Sequence, residues 1–105
     1  MADFKQIDEA RRLLGLQETA TLDEIKDAYR QLSLKFHPDR LQEGEKEKAE
    51  EMMKKINQAK DIILIYCANY RYSFKEDDVK RNSFDQETYQ HLRRFYDGWW
   101  GDLGL

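Results

Sequence analysis

Two long amphipathic stretches, separated by a short polar segment that contains the chain's single proline, constrain the fold most. In each stretch, apolar residues recur every three or four positions, the spacing of one face of an α-helix. The segment from Pro38 to Gly44 is so short that the two helices must return antiparallel. We therefore expect a helical hairpin. The stripe residues are Leu22, Ile25, Ala28, Tyr29, Leu32 and Phe36 before the loop, and Ala49, Met52, Met53, Ile56, Ala59, Ile63 and Cys67 after it.

Local signals place the ends of the helices. Thr21 with Glu24 three residues later is a capping box, which predicts the start of the first hairpin helix. Because a residue that precedes proline is pushed out of the helical region, that helix should end by His37. A shorter helix over residues 4–14 should stop at Gly15. The expected architecture is all-α: a small helical bundle led by the long antiparallel hairpin, with the proline loop at its tip.

The chain after the hairpin follows a different pattern. Tyr70, Tyr72 and Phe74 alternate with polar residues, but the run is too short for a strand that has no partner. We expect an extended link over 69–82 with a helical turn within 76–81, and a last helix from about Ser83 or Asp85. The predicted organisation is a first domain over 1–70 and a C-terminal extension over 71–105, whose aromatic-rich helix we expect to pack on that domain.

Composition excludes several classes of function. The formal net charge of -3 over 105 residues argues against a nucleic-acid partner. No apolar run approaches the length of a membrane span, and the N-terminus lacks the apolar run of a signal peptide. One cysteine, Cys67, and two histidines offer neither a disulfide nor a structural zinc site. We therefore expect a cytoplasmic protein without metal or cofactor, and Cys67 as a small core residue.

The residues around the proline are similar to a known family. The run from Ala28 to Arg40 resembles the second helix and signature loop of the J-domain (DnaJ) family, including the tripeptide His37-Pro38-Asp39. Residues 13–16 and 21–25 look like its first helix and the entry to its second, and 56–59 match its third. The resemblance covers roughly residues 4–65. It implies a co-chaperone that binds a DnaK-type chaperone of the seventy-kilodalton heat-shock class, stimulates its ATP hydrolysis and is not itself an enzyme.

The resemblance also implies a docking surface. Gln31 departs from the family pattern, in which a Lys or Arg is usual at this position. Acidic residues also dilute the positive charge on the outward face of the second helix, so we expect weak, salt-sensitive docking. Lys35 is better explained as a solvated charge, whereas Tyr29 and Met53 are equally explained as core residues. The implied partner-binding residues are the tripeptide His37, Pro38 and Asp39, the cations Lys26, Arg30, Lys35 and Arg40, and the apolar contacts Tyr29 and Met53.

The chemistry of the tripeptide can be argued from its residue types. Pro38 restricts the backbone, and a rigid loop loses less entropy when a partner binds. Asp39 can accept charge-assisted hydrogen bonds from a partner's arginine, and His37 can cap the loop or contact the partner. A catalytic His-Asp dyad is disfavoured because no nucleophile with a supporting third group is evident.

Two features leave alternatives open. Lys60 stands where the family has a tyrosine, so an adaptor that has a J-like fold and recruits another protein without ATPase stimulation is the rival hypothesis. The C-terminal aromatics either form a surface for a client or partner protein or extend the core, which is the commoner role at helical spacing. These aromatics are Tyr89, Phe95, Tyr96, Trp99 and Trp100.

Overall fold

The computed structural model describes residues 3–99, with the side chains of that range except those of Pro38 and of residues 95–99. Within residues 3–99 every regular element is helical, which confirms the all-α prediction. Two short 3₁₀ turns, Pro38–Arg40 and Glu43–Glu45, connect the second helix to the third. The α-helices are α1 (Phe4–Leu13), α2 (Leu22–Lys35), α3 (Lys46–Asn69), α4 (Glu76–Arg81) and α5 (Gln86–Trp99).

The chain divides into two compact units between Tyr70 and Arg71. The first unit contains α1, α2, α3 and both 3₁₀ turns, and the second contains α4 and α5. The packing of the C-terminal helix on the first domain stays a prediction.

The core of the first unit lies along one face of α3. Ile56, at 1% exposure, is the most deeply buried of its residues. Helix α3 packs against both α2 and α1, so α1 covers part of the stripe that the hairpin leaves open. Half-buried side chains from all three helices surround this centre. The buried cluster is Ala10, Leu14, Ile25, Ile56, Ala59 and Ile63.

Helices α2 and α3 form the predicted antiparallel hairpin. Tyr29 in the middle of α2 is hydrogen-bonded to Asn57 in the middle of α3. Phe36, just after α2, shares a groove with Ala49 and Met53 near the start of α3. Residues later in α2 thus meet residues earlier in α3, as an antiparallel pair requires.

The ends of α2 follow from the signals in the sequence. The Thr21 hydroxyl oxygen accepts from the Glu24 N–H at 3.1 Å, and the Glu24 carboxylate accepts from the Thr21 N–H at 3.0 Å. This reciprocal pair confirms the capping box. At the other end the Phe36 N–H donates to the Leu32 carbonyl, and the helix stops at Lys35.

A glycine in the left-handed conformation ends α1. Gly15 has φ of 74°, its N–H donates to the Arg12 carbonyl at 3.0 Å, and the Leu16 N–H donates to the Arg11 carbonyl at 3.0 Å. These two bonds make a Schellman motif, which confirms Gly15 as the stop signal. The Arg11 guanidinium also donates to the Leu16 carbonyl at 2.8 Å and to the Asp8 carboxylate. The turn that leads towards α2 is therefore held by both backbone and side chain.

The second unit has an extended link followed by two helices, as predicted. Asp78 in α4 accepts hydrogen bonds from Ser73 and Arg81, and these bonds lower the pKa of its carboxyl. The Asp85 carboxylate accepts from the Thr88 N–H at 2.8 Å at the start of α5, which lowers the pKa of Asp85. No side chain is buried among residues 71–94.

The C-terminal aromatics are described only in part. Tyr89 is exposed and its ring stacks on that of Phe84, with 6.5 Å between the ring centroids. The side chains of Phe95, Tyr96 and Trp99, and the whole of Trp100, lie outside the described residues. Whether these aromatics bind a client or extend a core stays a prediction.

Replacing Gly15 by alanine tests the turn that ends α1. An added Cβ meets no atom within 4 Å, so the cost comes from the positive φ alone. We expect Gly15→Ala to lower the free energy of unfolding by about 1–2 kcal/mol, measured by urea denaturation with an unchanged slope. Gly44→Ala is the matched control, since that position is equally open and lacks a positive φ. Equal effects of the two substitutions would contradict the prediction.

Candidate functional site

The loop after α2 is a tight, exposed turn. The Arg40 N–H donates to the His37 carbonyl at 3.0 Å, which closes the 3₁₀ turn Pro38–Arg40. The Asp39 N–H donates to Nδ1 of His37 at 3.2 Å. The side chains of His37 and Asp39 are 53% and 90% exposed. The turn therefore exposes both side chains to solvent, while its own backbone hydrogen bonds hold its shape.

The hydrogen bond to Nδ1 determines which nitrogen of a neutral His37 ring can donate. Because Nδ1 accepts a hydrogen bond, the neutral imidazole carries its proton on Nε2 and can donate outward. The same Nδ1 lies 3.6 Å from Oδ2 of Asp39, which is beyond hydrogen-bond range. Among the described residues, none donates a hydrogen bond to the Asp39 carboxylate. This carboxylate can therefore accept charge-assisted hydrogen bonds from a cationic partner.

The predicted cations differ in their environments. Arg30 is exposed on α2, and Arg40 is exposed in the turn beside Asp39. Lys26 is half-buried and interacts with a neighbouring group. Lys35 is exposed, with Nζ 5.5 Å from the centroid of the Phe36 ring. The turn thus brings His37, Asp39 and Arg40 together, whereas Arg30 lies about 10 Å back along α2 at 1.5 Å per residue.

Tyr29 belongs to the contact between α2 and α3. It is half-buried and packs against the core cluster. Its hydroxyl donates to Oδ1 of Asn57 at 2.7 Å. Nζ of Lys60 lies 4.8 Å from the centroid of its ring. Residues of α3 thus contact both the hydroxyl and the face of the Tyr29 ring.

Met53 lies in a groove between the end of α2 and the start of α3. The groove has a volume of about 280 Å³, an apolar floor and a rim of charged and amide side chains. Met53 also packs against the core cluster, so it is both a core residue and part of an open surface. The lining residues are Phe36, Ala49, Glu50, Met53, Lys54 and Asn57.

Asn57 and Lys60, which contact Tyr29, were not predicted as site residues from the sequence. Asn57 was only part of a matching motif, and Lys60 only a departure from the family. The spacing along the chain could have indicated their role. Met53, Asn57 and Lys60 are four and then three residues apart, so they share one face of α3. That face is the one that meets Tyr29 and Phe36.

Other kinds of site find little support in the part of the chain that the structure describes. No helix there is long and apolar enough to cross a membrane. No group of three His, Cys, Asp or Glu residues there could hold a metal ion. Cys67 is half-buried on α3, and burial raises the pKa of its thiol.

Comparison with known proteins gives a consistent result. The family model described as DnaJ domain matches residues 10–65. The chain is 45% identical over 74 residues to "Chaperone protein DnaJ" of Dichelobacter nodosus, covering 70% of this chain and 16% of that protein. It is 39% identical over 66 residues to "DnaJ homolog subfamily C member 3 homolog" of Dictyostelium discoideum, covering 63% and 13% respectively. It is 33% identical over 91 residues to "DnaJ-like protein R260" of Acanthamoeba polyphaga mimivirus, covering 87% and 22%.

These relatives are much longer proteins. The chain spans 13% to 22% of their lengths. No solved structure matches the chain.

Proposed function

Because the chain belongs to the DnaJ domain family, we propose that it is a co-chaperone that binds a DnaK-type chaperone and stimulates its ATP hydrolysis. The exposed turn at the end of α2 is the observation that carries this proposal. There the Asp39 carboxylate is 90% exposed and the His37 ring is fixed by a bond to the Asp39 N–H. A rigid turn that displays a carboxylate without a hydrogen-bond donor from the described residues is suited to binding a cation on a partner.

In the proposed mechanism the chain acts on its partner's conformation. A ligand shifts a conformational equilibrium by its differential affinity for the two states. Asp39 would bind an arginine of the chaperone more tightly in the hydrolysing state, and His37 would add a hydrogen bond from Nε2. The chaperone performs the hydrolysis. We propose that the chain itself is not an enzyme.

The cations of α2 and of the turn would attract an acidic surface of the chaperone. Arg30 and Arg40 are exposed, and Lys26 lies one turn before Arg30 on the same face. Exposed pairs contribute roughly 0–1 kcal/mol each, so the docking depends on several weak contacts and on salt. These charges would accelerate association with the chaperone, while the His37-Pro38-Asp39 turn would determine whether hydrolysis is stimulated.

We also propose that the chain acts in the cytosol and contacts a client or partner protein. Cys67 is half-buried and forms no disulfide, which suits the reducing conditions of the cytosol. The C-terminal extension exposes Phe84 and Tyr89, and such aromatics favour contact with a client or partner protein. The rival function, an adaptor that recruits another protein without stimulating hydrolysis, is favoured by the uncharged Gln31 in the basic face.

Single-turnover ATP hydrolysis by a panel of purified DnaK-type chaperones tests the proposal. We expect the wild-type chain to accelerate hydrolysis by at least one chaperone. His37→Gln and Asp39→Asn should abolish the acceleration without changing the circular dichroism spectrum or the melting temperature. His91→Gln is the matched control, because it removes the other histidine, which lies in α5. Binding without acceleration by the wild type would support the adaptor, and no effect on any chaperone would refute the co-chaperone.

A charge restored at Gln31 tests the role of the basic face. Gln31 is exposed on α2, and Gln31→Lys adds a cation beside Arg30. We expect an affinity for the chaperone about two- to five-fold higher, as one surface pair of up to about 1 kcal/mol allows. The gain should disappear as ionic strength rises in surface plasmon resonance. Gln90→Lys on α5 adds the same charge in the second unit, and an equal gain there would show a nonspecific effect.

A further inference from the structure

The side chain of Lys60 occupies an unusual place between the two hairpin helices. Its Nζ lies 4.8 Å from the centroid of the Tyr29 ring, within the roughly 6 Å over which a cation interacts with an aromatic face. Only 24% of the Lys60 side chain is exposed. The hydroxyl of the same ring donates to Asn57, which lies three residues before Lys60 on the same face of α3. One face of α3 therefore holds the Tyr29 ring at two points and brings a cation against α2.

We propose that Lys60 is a specificity-determining residue of the docking surface, which supplies from α3 a cation that extends the basic face of α2. The inference rests on the proposed function, because the surface concerned is the one that would meet the chaperone. Tyr29 is adjacent to Arg30 and three residues after Lys26. The ring that Lys60 contacts therefore lies within the basic face, and the partner surface that fits it is rich in carboxylates.

The local charges allow Lys60 to act in this way. Its ion pair with Asp61 joins Nζ and Oδ1 at 3.8 Å, near the outer limit for an ion pair, and Asp61 is 67% exposed. Such a pair neutralises the ammonium only weakly in water. Gln31 leaves α2 one cation short of the family pattern, and Lys60 adds a cation from the neighbouring helix. The cationic surface is then composite, with contributions from both helices of the hairpin.

A merely structural Lys60 would behave differently. If it only fixed the Tyr29 ring against α3, its loss would change the stability of the hairpin and would weaken docking equally at every salt concentration. If its charge meets carboxylates of the chaperone, its loss weakens docking most at low ionic strength, where screening is least. The salt dependence of the affinity therefore separates the two roles.

The test measures the affinity of the chain for the DnaK-type chaperone that the wild type stimulates, between about 50 and about 300 mM potassium chloride. Lys60→Met keeps the length of the side chain and removes the charge, whereas Lys60→Arg keeps both the charge and the contact with the ring. We expect Lys60→Met to bind about three- to five-fold more weakly at low salt. The deficit should vanish at high salt, and Lys60→Arg should bind as the wild type does. The maximal rate of hydrolysis at saturation should be unchanged in both variants.

A second variant gives the opposite change without touching the contact with the ring. Asp61→Asn removes the carboxylate beside Lys60, so docking should become about two-fold tighter at low salt. Asp77→Asn, which removes an exposed carboxylate in α4, is the matched control and should have no such effect.

The outcomes that overturn the inference are distinct from failure of the proposed function. Wild-type affinity for Lys60→Met, an equal loss for Lys60→Met and Lys60→Arg, or a loss that is constant with salt would refute a docking role for Lys60 while the co-chaperone function stood. Absence of stimulation by the wild type would refute the co-chaperone function and, with it, the role of Lys60.

Discussion

The burial of one face of α3 is the constraint on which the rest of the first unit depends. Its apolar stripe packs against both α1 and α2, with Ile56 at the centre. Burying an aliphatic side chain of this size contributes about 1.5–3 kcal/mol. Helix α2 turns Ile25 and Leu32 towards this core, while Arg30 and Lys35 are exposed. The docking surface that we propose includes these exposed cations.

Polar contacts at Tyr29 also join α2 to α3. The hydrogen bond to Asn57 and the approach of Lys60 both join the middle of α2 to α3. Nearer the tip, Phe36 and Met53 line an open groove of about 280 Å³. The hairpin is therefore bridged at its middle and less tightly filled towards the turn.

The helices could be predicted from the sequence because their signals are local. The capping box at Thr21, the stop at Gly15 and the break before Pro38 each depend on residues within four positions of one another. The neighbours of Tyr29 could not be predicted in this way, because they depend on the register between two helices that are 28 residues apart at this contact. The bond from the Asp39 N–H to His37 was also missed, because it depends on a rotamer of His37 that the turn selects.

The geometry of the turn over residues 37–40 meets two opposite requirements. A turn that holds its shape needs satisfied backbone groups, and the N–H groups of Asp39 and Arg40 both find acceptors in His37. A turn that binds a cation needs a carboxylate without a strong internal partner. Nδ1 of His37 lies 3.6 Å from Oδ2 of the Asp39 carboxylate, too far for a hydrogen bond. One imidazole thus fixes the backbone of Asp39 and leaves its charge available.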